Sequence, residues 1–197
     1  MTFSFEQDLV LENDRALLRP LAMNDANELI KVCEGDEKIL QYSPSRVHTP
    51  EYLAEYIRIA LKMRAQRSRY ALAIFDKQAQ TWVGSTSFYM VSEPNSRLEI
   101  GWTWLGKDHP GTGINRHTKY LMLQHAFDTL GCERVEFMTD ERNAQSRRAM
   151  EKIGCKLEGI LRSHTLLNDG FRRNSAIYSI LKQEWESMRD TFLDGHR

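Results

Sequence analysis

The sequence predicts a mixed α/β (α+β) domain whose central sheet is mostly antiparallel and carries helices on both faces. Three observations predict it. Short segments rich in β-branched and aromatic residues recur along most of the chain, interrupted by stretches of apolar residues at helical period. Three of those segments follow one another across connections too short for a crossover, which makes an antiparallel meander. The next strand is reached only through a helix, a βαβ step that should be right-handed. The 197 residues suit a single domain over positions 1–197, long enough to bury a core without staples.

Taken in order, Val10 to Leu21 reads as a strand pair or one bent strand, with the turn pair Asn13-Asp14 inside it. Asp25 to Cys33 reads as a short helix with Asn24 as its N-cap. Thr49 caps a second helix and Pro50 fills its first turn. Leu53, Tyr56, Ile57, Ala60 and Leu61 make its apolar face. The meander follows. Tyr70 to Phe75 is a strand, Asp76-Lys77-Gln78 a turn, and Trp82 to Val91 and Leu98 to Leu105 are strands separated by Glu93-Pro94-Asn95-Ser96. Ile114 to Leu130 is the best helix in the chain and Gly131 is its stop. Arg134 to Thr139 alternates as a strand, and Ala144 to Ile153 is a helix ending at Gly154. Lys156 to Leu166 and Ser175 to Leu181 are late strands around the turn Asn168-Asp169-Gly170, and a tail helix runs from Gln183 to Phe192.

Composition excludes several classes. Twenty-seven basic residues balance 27 acidic ones, so nothing argues for a general affinity for nucleic acid or an anionic membrane, while a local basic patch stays compatible with the count. The first eleven residues contain Glu6 and Asp8 and lack an apolar core for a signal peptide. No apolar run approaches spanning length. Cys33, Cys132 and Cys155 form no C-x-x-C pair, which suits free thiols in a reducing compartment, so the cytoplasm is expected. The six histidines show no metal-ligand spacing, and no metal is expected. A homodimer is compatible with the sequence.

One stretch carries chemistry. From Leu98 the chain reads L-E-I-G-W-T-W-L-G-K-D-H-P-G-T-G-I-N-R-H-T-K, a strand entering a glycine-rich turn and then a helix. Gly111 and Gly113 permit positive φ and leave no Cβ against an incoming anion. The first helical turn offers unpaired N–H groups and the positive end of the dipole, so the turn fits a pyrophosphate. Asn115, Arg116, His117 and Lys119 stand near the same end and would add donors or charge. By itself the motif is equally a tight strand-to-helix turn. It is not a Walker loop, since no G-K-[ST] follows. It is not a Rossmann fingerprint, since the third glycine is missing and the strand is a late one.

The order of further motifs narrows the reading. Glu99 to Trp102, Gly111 to Gly113, Asn143 to Ser146, Lys152 to Gly154, Glu158 to Arg162, Asp169-Gly170 and Tyr178 to Leu181 follow in order at sensible spacing. With this series the chain resembles the GNAT superfamily of N-acetyltransferases, and specifically its RimJ/RimL-like branch, from Leu18-Arg19-Pro20 to Trp185. The resemblance implies a GNAT-type sheet with a splayed strand pair and acetyl-CoA as co-substrate. It implies that backbone groups of Trp102, Thr103, Trp104 and Leu105 pair with the pantetheine. Gly111, Thr112, Gly113, Ile114 and Asn115 would hold the pyrophosphate. Asn143 would bond the pantetheine arm and Ser146 would sit near the thioester sulfur, although both also suit helix capping. Glu99 would serve as base or amine-binding group; its bland alternative is a solvent-facing strand carboxylate.

Thioester aminolysis needs a neutral amine, hence a base, and a donor for the oxyanion. Strand alternation places Glu99, Gly101 and Thr103 on one face and Ile100 and Trp102 on the other. Tyr42, Phe88, Trp102 and Trp104 are candidates for an acceptor cleft, with core packing as the commoner fate. The chain departs from the family at three places: Asp108 replaces the usual Arg or Gln, His117 replaces a frequent Glu, and Met150 replaces the tyrosine that often acts as acid. Met150 reads as core or cofactor wall, which leaves Ser146 or water to serve as any acid. The readings that remain are an enzyme acting on a protein α-amino group or on a small amine, an inactive acyl-CoA-binding module or sensor, and an unrelated nucleotide-binding fold.

Overall fold

Asn13 turns the chain between its first two strands. Its Oδ1 accepts from the N–H groups of Arg15 at 3.0 Å and Ala16 at 2.9 Å, joining β1 (Leu11–Glu12) to β2 (Ala16–Pro20). A computed structural model describes residues 1–194. Then come α1 (Ala26–Cys33), α2 (Pro50–Ala65), β3 (Arg69–Asp76), β4 (Thr81–Ser92) and β5 (Arg97–Leu105). After them come α3 (Ile114–Gln124), β6 (Arg134–Asp140), α4 (Ala144–Lys152), β7 (Lys156–Leu166), β8 (Arg172–Leu181) and α5 (Lys182–Met188).

The eight strands form one sheet in the order β1-β2-β3-β4-β5-β6-β8-β7. All neighbours are antiparallel except β5 and β6, which are joined by α3 and run parallel. The mixed, mostly antiparallel sheet is therefore as the sequence predicts. Tyr70, Leu72 and Ile74 of β3 look to one side, where they pack with Leu98, Ile100, Leu121, Met122 and Trp185. Ala71, Ala73 and Trp104 look to the other, against Leu29 of α1 and Leu53, Ile57 and Ala60 of α2. Both faces are covered, each by its own core. No helix among the described residues is long and apolar enough to cross a membrane.

Several boundaries differ from the sequence reading. Asn24 is not the cap of the first helix: α1 begins at Ala26, one residue after the expected Asp25, and Asp25 stands at the N-cap position. A one-turn 3-10 segment, Met23–Asp25, precedes α1, and the Asp25 carboxylate accepts from the Ala22 N–H at 2.7 Å while Arg19 clamps it. Thr49 caps α2 as expected, accepting from the Tyr52 N–H at 3.2 Å. The helix read as continuous to Leu130 passes into a π turn over His125–Thr129 before Gly131. β8 begins three residues before the expected Ser175, because Arg172 and Arg173 pair with Leu166 and Thr165 whatever their side chains prefer. The tail helix ends at Met188 and tightens into a 3-10 turn over Arg189–Thr191.

Two features of β5 position the site. It pairs with β6 only from Arg97 to Glu99, opposite Arg134 to Glu136, and the two strands then part. The splay implied by the resemblance is present, and its apex is the Glu99–Glu136 pair. β5 also bulges: Ser87 faces Gly101 and Ser85 faces Trp104, so two residues, Trp102 and Thr103, oppose Thr86 alone. Trp102 takes φ 53° to make the extra step.

Candidate active site

The glycine turn is open. Gly111 and Gly113 have φ of 82° and 89°, and a Cβ on either would meet no heavy atom within 4 Å. Gly113 is the N-cap of α3 in the left-handed conformation. Among the described residues the N–H groups of Gly111, Gly113, Ile114 and Asn115 find no acceptor, whereas those of Arg116 and His117 bond back to the Gly113 carbonyl. Thr112 folds its hydroxyl onto the His109 carbonyl at 2.8 Å. Four free donors at a helix N-terminus, with no side chain in front, fit a pyrophosphate. Asn115 keeps its Oδ1 buried and unpartnered. The cations expected to help are turned elsewhere. Arg116 donates to the Phe192 carbonyl and lies against that ring, His117 meets Asn13 at 3.1 Å, and Lys119 is buried under the sheet.

The gap beyond Glu99 leaves the facing edges of β5 and β6 without strand partners. Trp102, Thr103, Trp104 and Leu105 lie along one of those edges, between the apex and the glycine turn. An extended pantetheine would complete the ladder there, as an added strand does at a sheet edge. Asn143 caps α4, its Oδ1 accepting from the Ser146 N–H at 3.0 Å. The Oδ1 is thus taken up by capping, and the Nδ2 donors have no partner among the described residues. Met150 is buried in the α3-side core, the first of the two places expected for it.

The bulge overturns the expected alternation. Glu99 and Gly101 stay on the α1/α2 side, but Trp102 and Trp104 join them, packing on the core of those helices. Thr103 passes to the α3 side, where its Oγ1 lies 2.8 Å from that of Thr86 and accepts from Lys119 Nζ at 2.7 Å. The reason is the inserted residue, which reverses the side on which each later side chain emerges. The aromatic cleft set divides the same way. Phe88 and Trp104 are core, Trp102 is half-buried, and Tyr42 offers its carbonyl to Arg173 at 2.7 Å.

Glu99 is not the solvent-facing carboxylate of the bland reading: it is 4% exposed. Burial pushes its carboxyl up to about 7; a hydrogen bond from Tyr89 pulls it back, Glu136 pushes it further, and Arg173 and Arg97 oppose that. Tyr89 faces Glu99 directly across the hairpin and donates its hydroxyl to Oε1. Room for that ring comes from Gly101, where a Cβ would stand 2.8 Å from Tyr89 Cε1. Arg69, the partner of Tyr89 on β3, is wholly buried. It donates to Ser87 at 2.8 Å and to Tyr56 at 2.5 Å, and its guanidinium lies 4.1 Å over the Trp102 ring, pinning the bulge. Tyr56, the hydrogen-bond partner of Arg69, also lines a cleft of about 340 Å³ with Pro44, Ser45, Arg46, Tyr52 and Glu55.

Sequence reasoning missed Tyr89, Arg69, Tyr56 and Arg173. The first had a signal, since a hairpin closing on 93–96 sets position 89 opposite 99. The others come from separate elements, and nothing local marks them. Among the described residues no three His, Cys, Asp or Glu side chains gather as a metal site.

Comparisons with known proteins bear on the family and the fold. Residues 15–156 match the model of the acetyltransferase (GNAT) domain. A solved structure from T. thermophilus, provisionally described as an acetyltransferase, is similar at 31% identity and TM-score 0.83, over 97% of each chain. The uncharacterized N-acetyltransferase YoaA of Bacillus subtilis (strain 168) is 24% identical over 88% of this chain and 97% of its own. YdaF of the same organism, provisionally named a ribosomal N-acetyltransferase, is 33% identical over 52% of this chain and 55% of its own.

Proposed function

From the premise that the chain belongs to the GNAT acetyltransferase family, we propose that it transfers an acetyl group from acetyl-CoA to a primary amine, by direct attack of the amine on the thioester. The observation that carries this is the continuity of three features along β5: a buried carboxylate at the apex, an unpaired strand edge, and a glycine turn with free N–H groups. When bound, acetyl-CoA supplies the acetyl group in activated form.

The chain's own residues do the rest. Gly111, Gly113, Ile114 and Asn115 offer free backbone donors to the pyrophosphate, Thr112 stands between them with its own N–H on the His109 carbonyl, and Gly113 opens the helix end. Backbone groups of Trp102 to Leu105 hold the pantetheine as a strand would, and Asn143 adds its side-chain amide. Ser146, half-buried one turn into α4, lines the same channel. Glu99 takes the proton from the acceptor nitrogen. A carboxyl near 7 is half ionised at neutral pH and basic enough to accept, which suits that duty better than an ordinary glutamate. Tyr89 fixes its orientation. The acceptor enters on the α1/α2 side, where Glu99, Gly101 and the cleft at Tyr56 lie.

The acceptor is a protein α-amino group in the branch reading, which the provisional ribosomal name of YdaF favours, or else a small amine. Calorimetry tests the cofactor first: CoA and acetyl-CoA bind, while ATP and NAD do not. Thiol release is then followed against a panel of N-terminal peptides and small amines. Tight CoA binding with no turnover on any of them would leave an acyl-CoA-binding module.

A further inference from the structure

Lys119 is a lysine where a core residue belongs. It projects from the second turn of α3 toward the sheet and is 7% exposed. No carboxylate among the described residues pairs with it, and its bond is to Thr103 Oγ1 at 2.7 Å. Thr103 lies on the free edge of β5, while the Phe137 ring of β6 lies 5.8 Å from Nζ on the other side. The amine therefore sits beneath the gap between the two parted strands. This is the α3 side of the sheet, the side on which Met150 is packed. An unpaired cation is costly to bury, and here it stands where the thioester arm of the cofactor would run.

We propose that Lys119 faces the sulfur of the thioester held in the gap and gives it a proton as the C–S bond breaks, the duty left vacant by Met150. The proposal rests on the acetyl-transfer reading above. The acceptor nitrogen sheds two protons, one before it attacks the carbonyl carbon and one after the N–C bond has formed. The C–S bond breaks with its electron pair on sulfur, which takes a proton from Nζ. One of the two nitrogen protons restores Lys119 through solvent, and the other leaves. Burial lowers the Lys119 pKa to about 7, with Cys155 opposing slightly, so it gives up a proton far more readily than an exposed lysine. Cys155 does not compete: burial pushes its thiol up to about 12.

The test is the thiol of bound CoA, titrated by thiolate ultraviolet absorbance with no acetyl transfer involved. An ordinary thiol ionises near about 8.5. In the wild-type complex an ammonium at the sulfur should lower that value by at least about one unit. Lys119→Met, which keeps length and suits a core, should return it to the free value or above. With acetyl-CoA the same variant should lose about 10²-fold in kcat, with KM little changed. A bound thiol titrating as free CoA does in the wild-type protein refutes the proposal, and this needs no variant. Failure of CoA to bind at all would instead overturn the acetyl-transfer reading. If Lys119→Met does not fold, Lys119→Gln replaces it.

Discussion

Glu99→Gln keeps the shape of the side chain and its bond from Tyr89 while removing the charge. Two independent consequences follow from a carboxyl raised by burial from about 4.5 to about 7. The first is kinetic. Glu99 must be ionised to accept a proton, so turnover should rise with pH through about 7. Removing a general base typically costs ~10²–10⁴-fold, or about 3–5 kcal/mol. The mutant should lose at least about tenfold in kcat and lose that acidic limb, while acetyl-CoA affinity stays near wild type. The second concerns stability. A carboxyl raised in the folded state binds its proton more tightly there than in the unfolded chain. Its neutral form contributes stability that is complete below about 4.5 and lost as pH rises through about 7. The difference amounts to about 3 kcal/mol, a large fraction of a domain's stability. Chemical denaturation from about pH 4 to about pH 9 should show wild type losing ground to Glu99→Gln over that window. Equal turnover with the same pH profile would make Glu99 a bystander in the chemistry. Parallel stability curves would refute its burial as a charged group.

Other perturbations address the remaining parts. Gly113→Val places a β-branched residue at φ 89° in front of the free N–H groups; the strain should cost about 1–2 kcal/mol, and calorimetry should show CoA affinity reduced at least about tenfold. Gly101→Ala sets a Cβ 2.8 Å from the Tyr89 ring, so the ring must leave Glu99; kcat should fall and the acidic limb move, with CoA binding retained. Asn143→Ala removes the cap on Ser146, which should cost about 1 kcal/mol in chemical denaturation, together with a loss of CoA affinity. A mutant that loses the stability but binds CoA as wild type would confine Asn143 to capping.

How legible the protein was in its sequence depends on the range of the forces involved. Helix starts and stops, the meander and the glycine turn are local. Thr49 caps its own helix, Gly131 and Gly154 end theirs, and a short connection can only make a hairpin; each is decided within a few residues, so the order of elements and the place of the glycine turn before α3 could be read from the chain. Glu99 was singled out on the family resemblance, as the carboxylate two residues before a glycine on the strand that enters the turn. Its state was not, because desolvation is supplied by strands and helices far away along the chain. The bulge at Trp102 was invisible for a similar reason. It is held by Arg69 and Tyr56, from β3 and α2, and it moved Trp102 and Thr103 to the faces opposite those that simple alternation assigned. Lys119 looked like one more cation beside a phosphate loop. Only packing α3 against the parting of β5 and β6 turned it inward and left a buried amine without a counter-charge. What the sequence by itself determined was the set of elements and the place of the turn. The tertiary structure alone decided which side chains face one another across the gap, and therefore which of them hold protons at neutral pH.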